Sequence, residues 1–311
     1  MTTKFAFLFP GQGSQRVGML ADYVAEPVVA ETLAEASDAL HLNLTHLFEN
    51  GPITSLNQTE NTQPALLAAS VALWRLFKSR RGDIKPVLMA GHSLGEYSAL
   101  VCADSIDFTD AVDLVKKRGL YMQQAVAEGC GAMAAILGLA DEVITNVCAE
   151  VAQHEIVEPV NFNSPGQVVI AGHIEAVERA IKKLKTLGAK RALLLPVSVP
   201  SHCALMKPAA DKLQIALDSI AIQVPSIPVV HNVCADVCAK PDGIRAHLVA
   251  QLHRPVQWVE TINGIIRMGA SSFVECGPGT VLTGLNKRIN RSVPVVSFDA
   301  SVFMDKWLTE A

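Results

Sequence analysis

The chain has 311 residues, of which 50% are hydrophobic and 18% are charged, and its formal net charge is -4 at pH 7. This length is sufficient for one large domain or two smaller ones. The high apolar and low charged content excludes a disordered chain. The mild acidity gives no overall attraction to nucleic acid or to an anionic membrane. No stretch reaches the roughly 18 uncharged apolar residues that a membrane span needs.

Short apolar runs bounded by Gly or Pro predict buried parallel strands in the outer parts of the chain. They lie at residues 4–9, 87–90, 272–276 and 293–297. A helix is predicted over residues 63–79, where apolar side chains recur at helical spacing. Strands that alternate with helices predict an α/β fold with a central parallel sheet.

The middle of the chain predicts a second, smaller unit. Its elements follow the order β-α-β-β-α-β, which is the ferredoxin-like arrangement. The predicted strands are residues 131–137, 157–162, 167–171 and 190–196, and the predicted helices are residues 141–153 and 174–187. We therefore expect a small ferredoxin-like domain at residues 126–199, inserted into a large α/β-hydrolase-like domain formed by residues 1–125 and 200–311.

Cysteine usage and the N-terminal pattern predict a cytoplasmic protein. The seven cysteines are odd in number and scattered, as free thiols in a reducing compartment are. Pro10 ends the first apolar run too early for a signal peptide. Cys234 and Cys238 are the only close pair, and His231 alone does not complete a zinc ligand set, so no metal site is predicted.

The sharpest chemical signal is the pattern Gly-x-Ser-x-Gly around Ser93. It follows the strand predicted at residues 87–90 and precedes an apolar helical segment at residues 97–103. A nucleophile elbow requires this strand-turn-helix context, because the tight turn exposes the serine hydroxyl beside a helix N-terminus. Ser93 is therefore the candidate nucleophile.

A serine nucleophile needs a base, and nine histidines are candidates. His92 adjoins Ser93, but we expect its side chain to point elsewhere on the turn. His202 follows the predicted small domain directly, where a returning loop could bring it over the edge of the sheet. From spacing, His202 is the first candidate for the base, and the alternative is a loop histidine without a role.

A glycine-rich loop at residues 10–15 follows the first predicted strand. Its glycines fit neither the dinucleotide pattern nor the Walker pattern, so phosphate binding is not favoured. A loop at the carboxyl edge of an open α/β sheet is where such sheets bind ligands. We expect one of its backbone N–H groups to serve as an oxyanion donor.

Taken together, these motifs resemble those of malonyl-CoA:acyl carrier protein transacylases, in the same order and over essentially the whole chain. The resemblance rests on Phe9-Pro10-Gly11-Gln12-Gly13-Ser14-Gln15, Gly91-His92-Ser93-Leu94-Gly95-Glu96, Lys116-Lys117-Arg118-Gly119, Asn161-Phe162-Asn163-Ser164-Pro165-Gly166-Gln167, Val199-Pro200-Ser201-His202 and Gly277-Pro278-Gly279-Thr280-Val281-Leu282.

The resemblance implies a role for each matching residue. Ser93 would be the nucleophile, and His202 would be the general base and then the general acid. The backbone N–H groups of Gln12 and Leu94 would form the oxyanion hole. The main-chain carbonyl of Gln251 would accept the other ring N–H of His202, in place of a triad carboxylate.

Arg118 is implied to bind the substrate. From the residues alone, a surface arginine is favoured, because Arg118 follows Lys116 and Lys117 and a run of charges on a helix is usually a solvated face. The helix is predicted to begin after an Asp107 N-cap and to bury its apolar positions. The malonyl group, however, carries a free carboxylate near the reacting carbonyl. A planar guanidinium can hold a carboxylate with two parallel N–H···O bonds.

The implied partners are malonyl-CoA and an acyl carrier protein, with no cofactor beyond the CoA thioester substrate, no nucleic acid and no membrane. Three alternatives stay open. A serine esterase or thioesterase shares the elbow, a non-catalytic module could bind the carrier protein alone, and a transacylase could prefer another acyl group such as methylmalonyl.

Overall fold

The computed structural model describes residues 4–197 and 199–310, which form a mixed α/β structure with two separate sheets. The strands are β1 (Phe5–Phe9), β2 (Leu88–Gly91), β3 (Gly131–Leu137), β4 (Val157–Ser164), β5 (Gln167–His173), β6 (Arg191–Leu194), β7 (Val229–Val230), β8 (Ser272–Glu275) and β9 (Val295–Ser297). The helices are α1 (Pro27–Leu40), α2 (Leu44–Asn50), α3 (Ile53–Leu56), α4 (Thr59–Arg81), α5 (Gly95–Cys102), α6 (Phe108–Ala125), α7 (Asp141–Val151), α8 (Ile174–Thr186), α9 (Lys207–Asp218), α10 (Pro241–His253), α11 (Trp258–Arg267), α12 (Val281–Ile289) and α13 (Ser301–Glu310).

The first sheet is parallel and has the strand order β7-β2-β1-β8-β9. All five residues of β1 and all four of β2 are buried, as expected for strands covered on both faces. On one face, Phe7 meets Trp74 and Phe77 of α4 edge-on, with ring centroids 5.3 and 5.0 Å away. This central packing fixes the carboxyl ends of β1 and β2, where the site is built.

The second sheet is antiparallel and has the strand order β4-β5-β3-β6. With α7 and α8 it follows the predicted element order β-α-β-β-α-β and has an apolar core of its own. Backbone hydrogen bonds connect this sheet to the rest of the chain. The N–H of Val256 donates to the carbonyl of Val160 in β4, and its carbonyl accepts from the N–H of Phe162 in the same strand. The small unit therefore forms one wall of the space above the parallel sheet.

All eight predicted strands are confirmed, with bounds that differ from the predicted ones by at most two residues. The first begins at Phe5 instead of residue 4, and β6 is shorter than predicted, ending at Leu194. The predicted N-cap of α6 is also confirmed, since the Asp107 carboxylate accepts hydrogen bonds from the backbone N–H groups of Thr109 and Asp110. Within the described ranges, no helix is both long enough and apolar enough to span a bilayer.

Candidate active site

Ser93 lies in a sharp turn between β2 and α5, and its backbone is in the left-handed region with φ 52°. Both glycines of the turn are sterically required. A Cβ on Gly91 would lie 1.9 Å from the carbonyl carbon of Gly95, and a Cβ on Gly95 would lie 2.0 Å from the carbonyl oxygen of Phe9. The sequence pattern therefore produces the predicted elbow, with Ser93 at its apex.

His202 lies directly beside Ser93, with its Nε2 atom 2.8 Å from the serine Oγ. Its Nδ1 atom lies 2.6 Å from the main-chain oxygen of Gln251. A carbonyl oxygen only accepts, so the imidazole proton is on Nδ1 and the lone pair on Nε2 faces the serine hydroxyl. The loop that follows the small unit thus brings His202 to the elbow, as predicted.

The electrostatic surroundings keep His202 neutral. Burial, together with the positive charge of Arg118, lowers the pKa of His202 to about 3. At neutral pH the ring therefore has a free lone pair. This is the protonation state that a general base requires.

Arg118 extends from α6 into the same space and is 1% exposed, which corrects the surface interpretation that its neighbours in sequence favoured. Its Nη1 donates to Oε1 of Gln63 at 2.8 Å. Its Nη2 donates to Oε1 of Gln251 at 3.0 Å and to Oγ of Ser93 at 3.2 Å. No ion pair of the described residues includes Arg118. A buried cation with only neutral partners is one that a bound anion would stabilise.

Gln12, in the loop after β1, and Leu94, directly after Ser93, both line the space around the serine. The loop after β1 crosses the elbow closely, since the N–H of His92 donates to the carbonyl of Phe9 at 3.0 Å. Leu94 is the N-cap of α5, where backbone N–H groups are free of intrahelical partners. Neither the N–H of Gln12 nor that of Leu94 donates to an acceptor within the described ranges. An oxyanion hole requires donors that have no other acceptor, and both N–H groups meet this condition.

A cleft of about 410 Å³ opens over Ser93 between the two sheets. Five predicted site residues line it, namely Gln12, Ser93, Leu94, Arg118 and His202. Gln251 does not line the cleft and lies behind His202 and Arg118, in contact with both.

The small unit completes the cleft through Met133 and Asn163. His92 points away from the serine, as expected, and its Nε2 lies 2.8 Å from Oδ1 of Asn163. Burial lowers the pKa of His92, which leaves this ring neutral as well. The elbow and the small unit are thereby connected next to the serine.

Sequence reasoning missed a buried polar cluster behind the serine. The Glu96 carboxylate accepts from Nε2 of Gln251 at 2.8 Å and pairs with Nδ1 of His231 at 2.7 Å, and both partners of that pair are fully buried. From the sequence, His231 is only part of an incomplete zinc ligand set. Within the described ranges, no group of three or more His, Cys, Asp or Glu side chains is arranged to hold a metal ion.

The comparisons with known proteins agree with this geometry. The model of the acyl transferase domain family matches residues 6–302. The chain is 60% identical over 288 residues to the malonyl CoA-acyl carrier protein transacylase of Escherichia coli strain K12, covering 92% of this chain and 93% of that one. It is 46% identical over 297 residues to the enzyme of the same name from Bacillus subtilis, covering 95% and 93%.

Two solved structures are similar over nearly their full lengths. The malonyl CoA-acyl carrier protein transacylase from Coxiella burnetii superposes with a TM-score of 0.97 at 49% identity, covering 99% of this chain and 97% of that chain. A malonyl-transacylase in complex with its type II PKS acyl-carrier protein superposes with a TM-score of 0.97 at 55% identity, covering 99% and 100%.

Proposed function

The chain belongs to the acyl transferase domain family, and from this premise we propose that it transfers malonyl from malonyl-CoA to the phosphopantetheine thiol of an acyl carrier protein. The reaction proceeds through a malonyl-serine ester and supplies fatty acid biosynthesis. One observation carries the assignment of the site. A buried arginine without a carboxylate partner, Arg118, lies 3.2 Å from the hydroxyl of Ser93.

In the first half-reaction, Nε2 of His202 takes the proton of Ser93 while Oγ attacks the thioester carbon. The 2.8 Å hydrogen bond between these atoms supports this step. The carbonyl oxygen becomes an oxyanion, which the N–H groups of Gln12 and Leu94 stabilise. The intermediate then collapses, the C–S bond breaks, and His202 returns the proton to the departing CoA sulfur.

In the second half-reaction, the carrier-protein thiol gives its proton to His202 and its sulfur attacks the ester carbon. The C–O bond to Ser93 breaks, and His202 returns the proton to Oγ. Both halves use the same lone pair on Nε2. The Gln251 carbonyl oxygen, 2.6 Å from Nδ1, accepts the Nδ1 proton and so keeps this lone pair directed at the serine.

Arg118 selects the malonyl group by pairing with its free carboxylate. The guanidinium donates only to neutral oxygens, those of the Gln63 and Gln251 side-chain amides and of the Ser93 hydroxyl, and its Nε has no hydrogen-bond partner within the described ranges. A carboxylate enclosed in the cleft gains a charge-assisted, forked contact here. An acetyl group has no atom that would make this contact.

The finer architecture also belongs to the proposal. We infer a ferredoxin-like small domain at residues 126–199 and an α/β-hydrolase-like domain at residues 1–125 and 200–311, of which residues 1–3, 198 and 311 lie outside the described ranges. The strand order β4-β5-β3-β6 with two helices supports the first assignment, and the parallel sheet with its elbow supports the second. The cytoplasmic location and the cofactor-free reaction stay predictions.

The decisive experiment incubates the protein with malonyl-, acetyl- or methylmalonyl-CoA and maps any adduct by peptide mass spectrometry. We expect a malonyl adduct on the peptide that contains Ser93, and its loss when carrier protein with a free phosphopantetheine thiol is added. An adduct on another residue would contradict the nucleophile assignment. Release to water at the same rate without the thiol would indicate a thioesterase, and preferential loading of methylmalonyl would change the substrate. A folded protein that binds the carrier protein without any adduct would be a binding module.

A further inference from the structure

Asn232 is a fully buried side chain that spans the two sides of the turn around Ser93. Its Oδ1 accepts the backbone N–H of Ser93 at 2.7 Å, and its Nδ2 donates to the carbonyl of Gly91 at 2.7 Å. An N–H only donates and a carbonyl only accepts, so the orientation of the amide is fixed by its partners. We propose that Asn232 is a positioning residue for Ser93, an inference that rests on the proposed function.

The position of Asn232 is itself determined by three elements. It follows β7, which pairs with β2 in the register Ala90↔Val230. Asn232 is two residues beyond this pair and therefore lies past the end of the sheet, beside the turn. Its backbone N–H donates to Oε2 of Glu96 at 3.0 Å, and its carbonyl accepts from the N–H of Gln257 at 3.0 Å. The side chain is therefore a rigid support for the elbow.

The turn needs such a support because Ser93 is held in a strained conformation. A non-glycine residue at φ 52° is less stable than one in the extended or helical region, and it persists only where its surroundings determine it. The peptide groups of Ser93 are fixed on both sides. Asn232 holds the N–H, and Nε2 of Gln251 donates to the carbonyl at 3.0 Å. Relaxation of the turn would move Oγ away from the imidazole.

Asn232 also determines which amides face the oxyanion. The N–H of Ser93 is occupied by the amide oxygen, so it is not available to the thioester oxygen. This leaves the N–H groups of Gln12 and Leu94 as the donors in the cleft. Without Asn232, the serine N–H and the Gly91 carbonyl would both lose their partners, and the turn would be free to adopt other conformations.

Two substitutions test the contact in different ways. Asn232→Ala removes both hydrogen bonds, whereas Asn232→Asp keeps the shape and the acceptor for Ser93 but places a second carboxyl oxygen against the Gly91 carbonyl. Ser105→Ala is the matched control. It removes another buried side-chain contact to the main chain, the 2.7 Å bond from Oγ to the carbonyl of Gln223, which does not touch the elbow.

The measurement is the single-turnover rate of malonyl-Ser93 formation at increasing malonyl-CoA, followed by mass spectrometry on the full chain. We expect both Asn232 variants to lower the maximum rate by about 10- to 100-fold while the half-saturating concentration changes less than about threefold. The control keeps both parameters. A folded Asn232 variant that acylates at the wild-type rate would overturn the inference, as would a loss confined to the half-saturating concentration.

A second measurement uses only the wild-type protein, so it tests the inference even if both Asn232 variants fail to fold. Amide hydrogen exchange of the wild-type protein, observed by NMR, should show a strongly protected N–H at Ser93. Exchange at the rate of an unstructured peptide would refute the contact. A wild-type protein that forms no malonyl adduct would contradict the proposed function instead, whatever the protection at Ser93, so the two failures are distinguishable.

Discussion

Replacement of Arg118 separates the recognition of malonyl from the chemistry at the serine. Arg118 is 1% exposed, and its guanidinium donates to Gln63, Gln251 and Ser93. Arg118→Ala leaves a bound malonyl carboxylate buried without a cation. Removing one partner of a buried charge pair costs about 3–5 kcal/mol. At roughly 1.4 kcal/mol per factor of ten, malonyl transfer should fall by about 10²- to 10⁴-fold.

Acetyl transfer should fall much less in the same variant. The acetyl group has no carboxylate, so the loss is limited to the hydrogen bond from Arg118 to the serine and to the support of Gln251. One such bond corresponds to about a tenfold change. The assay compares the rates of Ser93 acylation by malonyl-CoA and acetyl-CoA under identical conditions.

Two further variants test whether the loss of malonyl transfer is specific to the guanidinium of Arg118. Arg118→Lys keeps the charge but loses the planar fork, so its malonyl rate should lie between those of the wild type and Arg118→Ala. Arg75→Ala removes another partly buried arginine, which pairs with Glu35 outside the cleft, and should leave both rates unchanged. Equal losses for malonyl and acetyl in Arg118→Ala would refute the carboxylate argument.

Three other predictions follow from the same geometry. Ser93→Ala should abolish the malonyl adduct, and a mass shift that persists in this variant would contradict the nucleophile assignment. Burial and Arg118 lower the pKa of His202 to about 3, and the base acts only when unprotonated. Acylation should therefore keep its plateau from neutral pH down to about pH 5 and decline only below it, whereas a midpoint near 6.5 would show an unshifted histidine. Asp107→Ala should lower the free energy of unfolding by about 1 kcal/mol at pH 7, because it removes the N-cap of α6. Hydrogen bonding by Thr109 lowers the pKa of Asp107, so its contribution is present above the ordinary carboxyl pKa and is lost as the pH falls. Chemical denaturation of the wild type and of Asp107→Ala at pH 7 and pH 3 measures the free energy of unfolding in each case. If the substitution lowered it equally at the two pH values, the Asp107 cap would not depend on an ionised carboxylate.

The parts of the fold that depend on local sequence were predictable. β1 and the strands of the small unit follow from short apolar runs, and α6 follows from its N-cap and its apolar spacing. β7 was missed because it has only two residues, Val229 and Val230, and is too short to show a period. It matters nevertheless, since it leads directly to Asn232.

The site was predictable only where a motif marks it. The Gly-x-Ser-x-Gly pattern indicates the elbow because both glycines are sterically required. The carbonyl of Gln251 has no sequence signal, since every residue has a carbonyl, and only the family resemblance suggested it. Glu96 and His231 meet across 135 positions of the chain, and pairing at that distance depends on tertiary packing. Local spacing likewise could not show that Arg118 points inward.

The choice of a main-chain carbonyl to orient His202 has an electrostatic reason. A carboxylate beside Nδ1 of His202 would place a negative charge near Arg118, whose positive charge acts on the same imidazole, and would partly compensate the cation proposed to bind malonyl. It would also raise the pKa of His202 and favour the protonated ring over the base. The carbonyl fixes the tautomer without adding charge, and the buried carboxylate of Glu96 stays one amide away, behind Gln251. In the proposed reaction, this arrangement leaves the cation free to pair with the malonyl carboxylate and leaves the imidazole neutral for the serine.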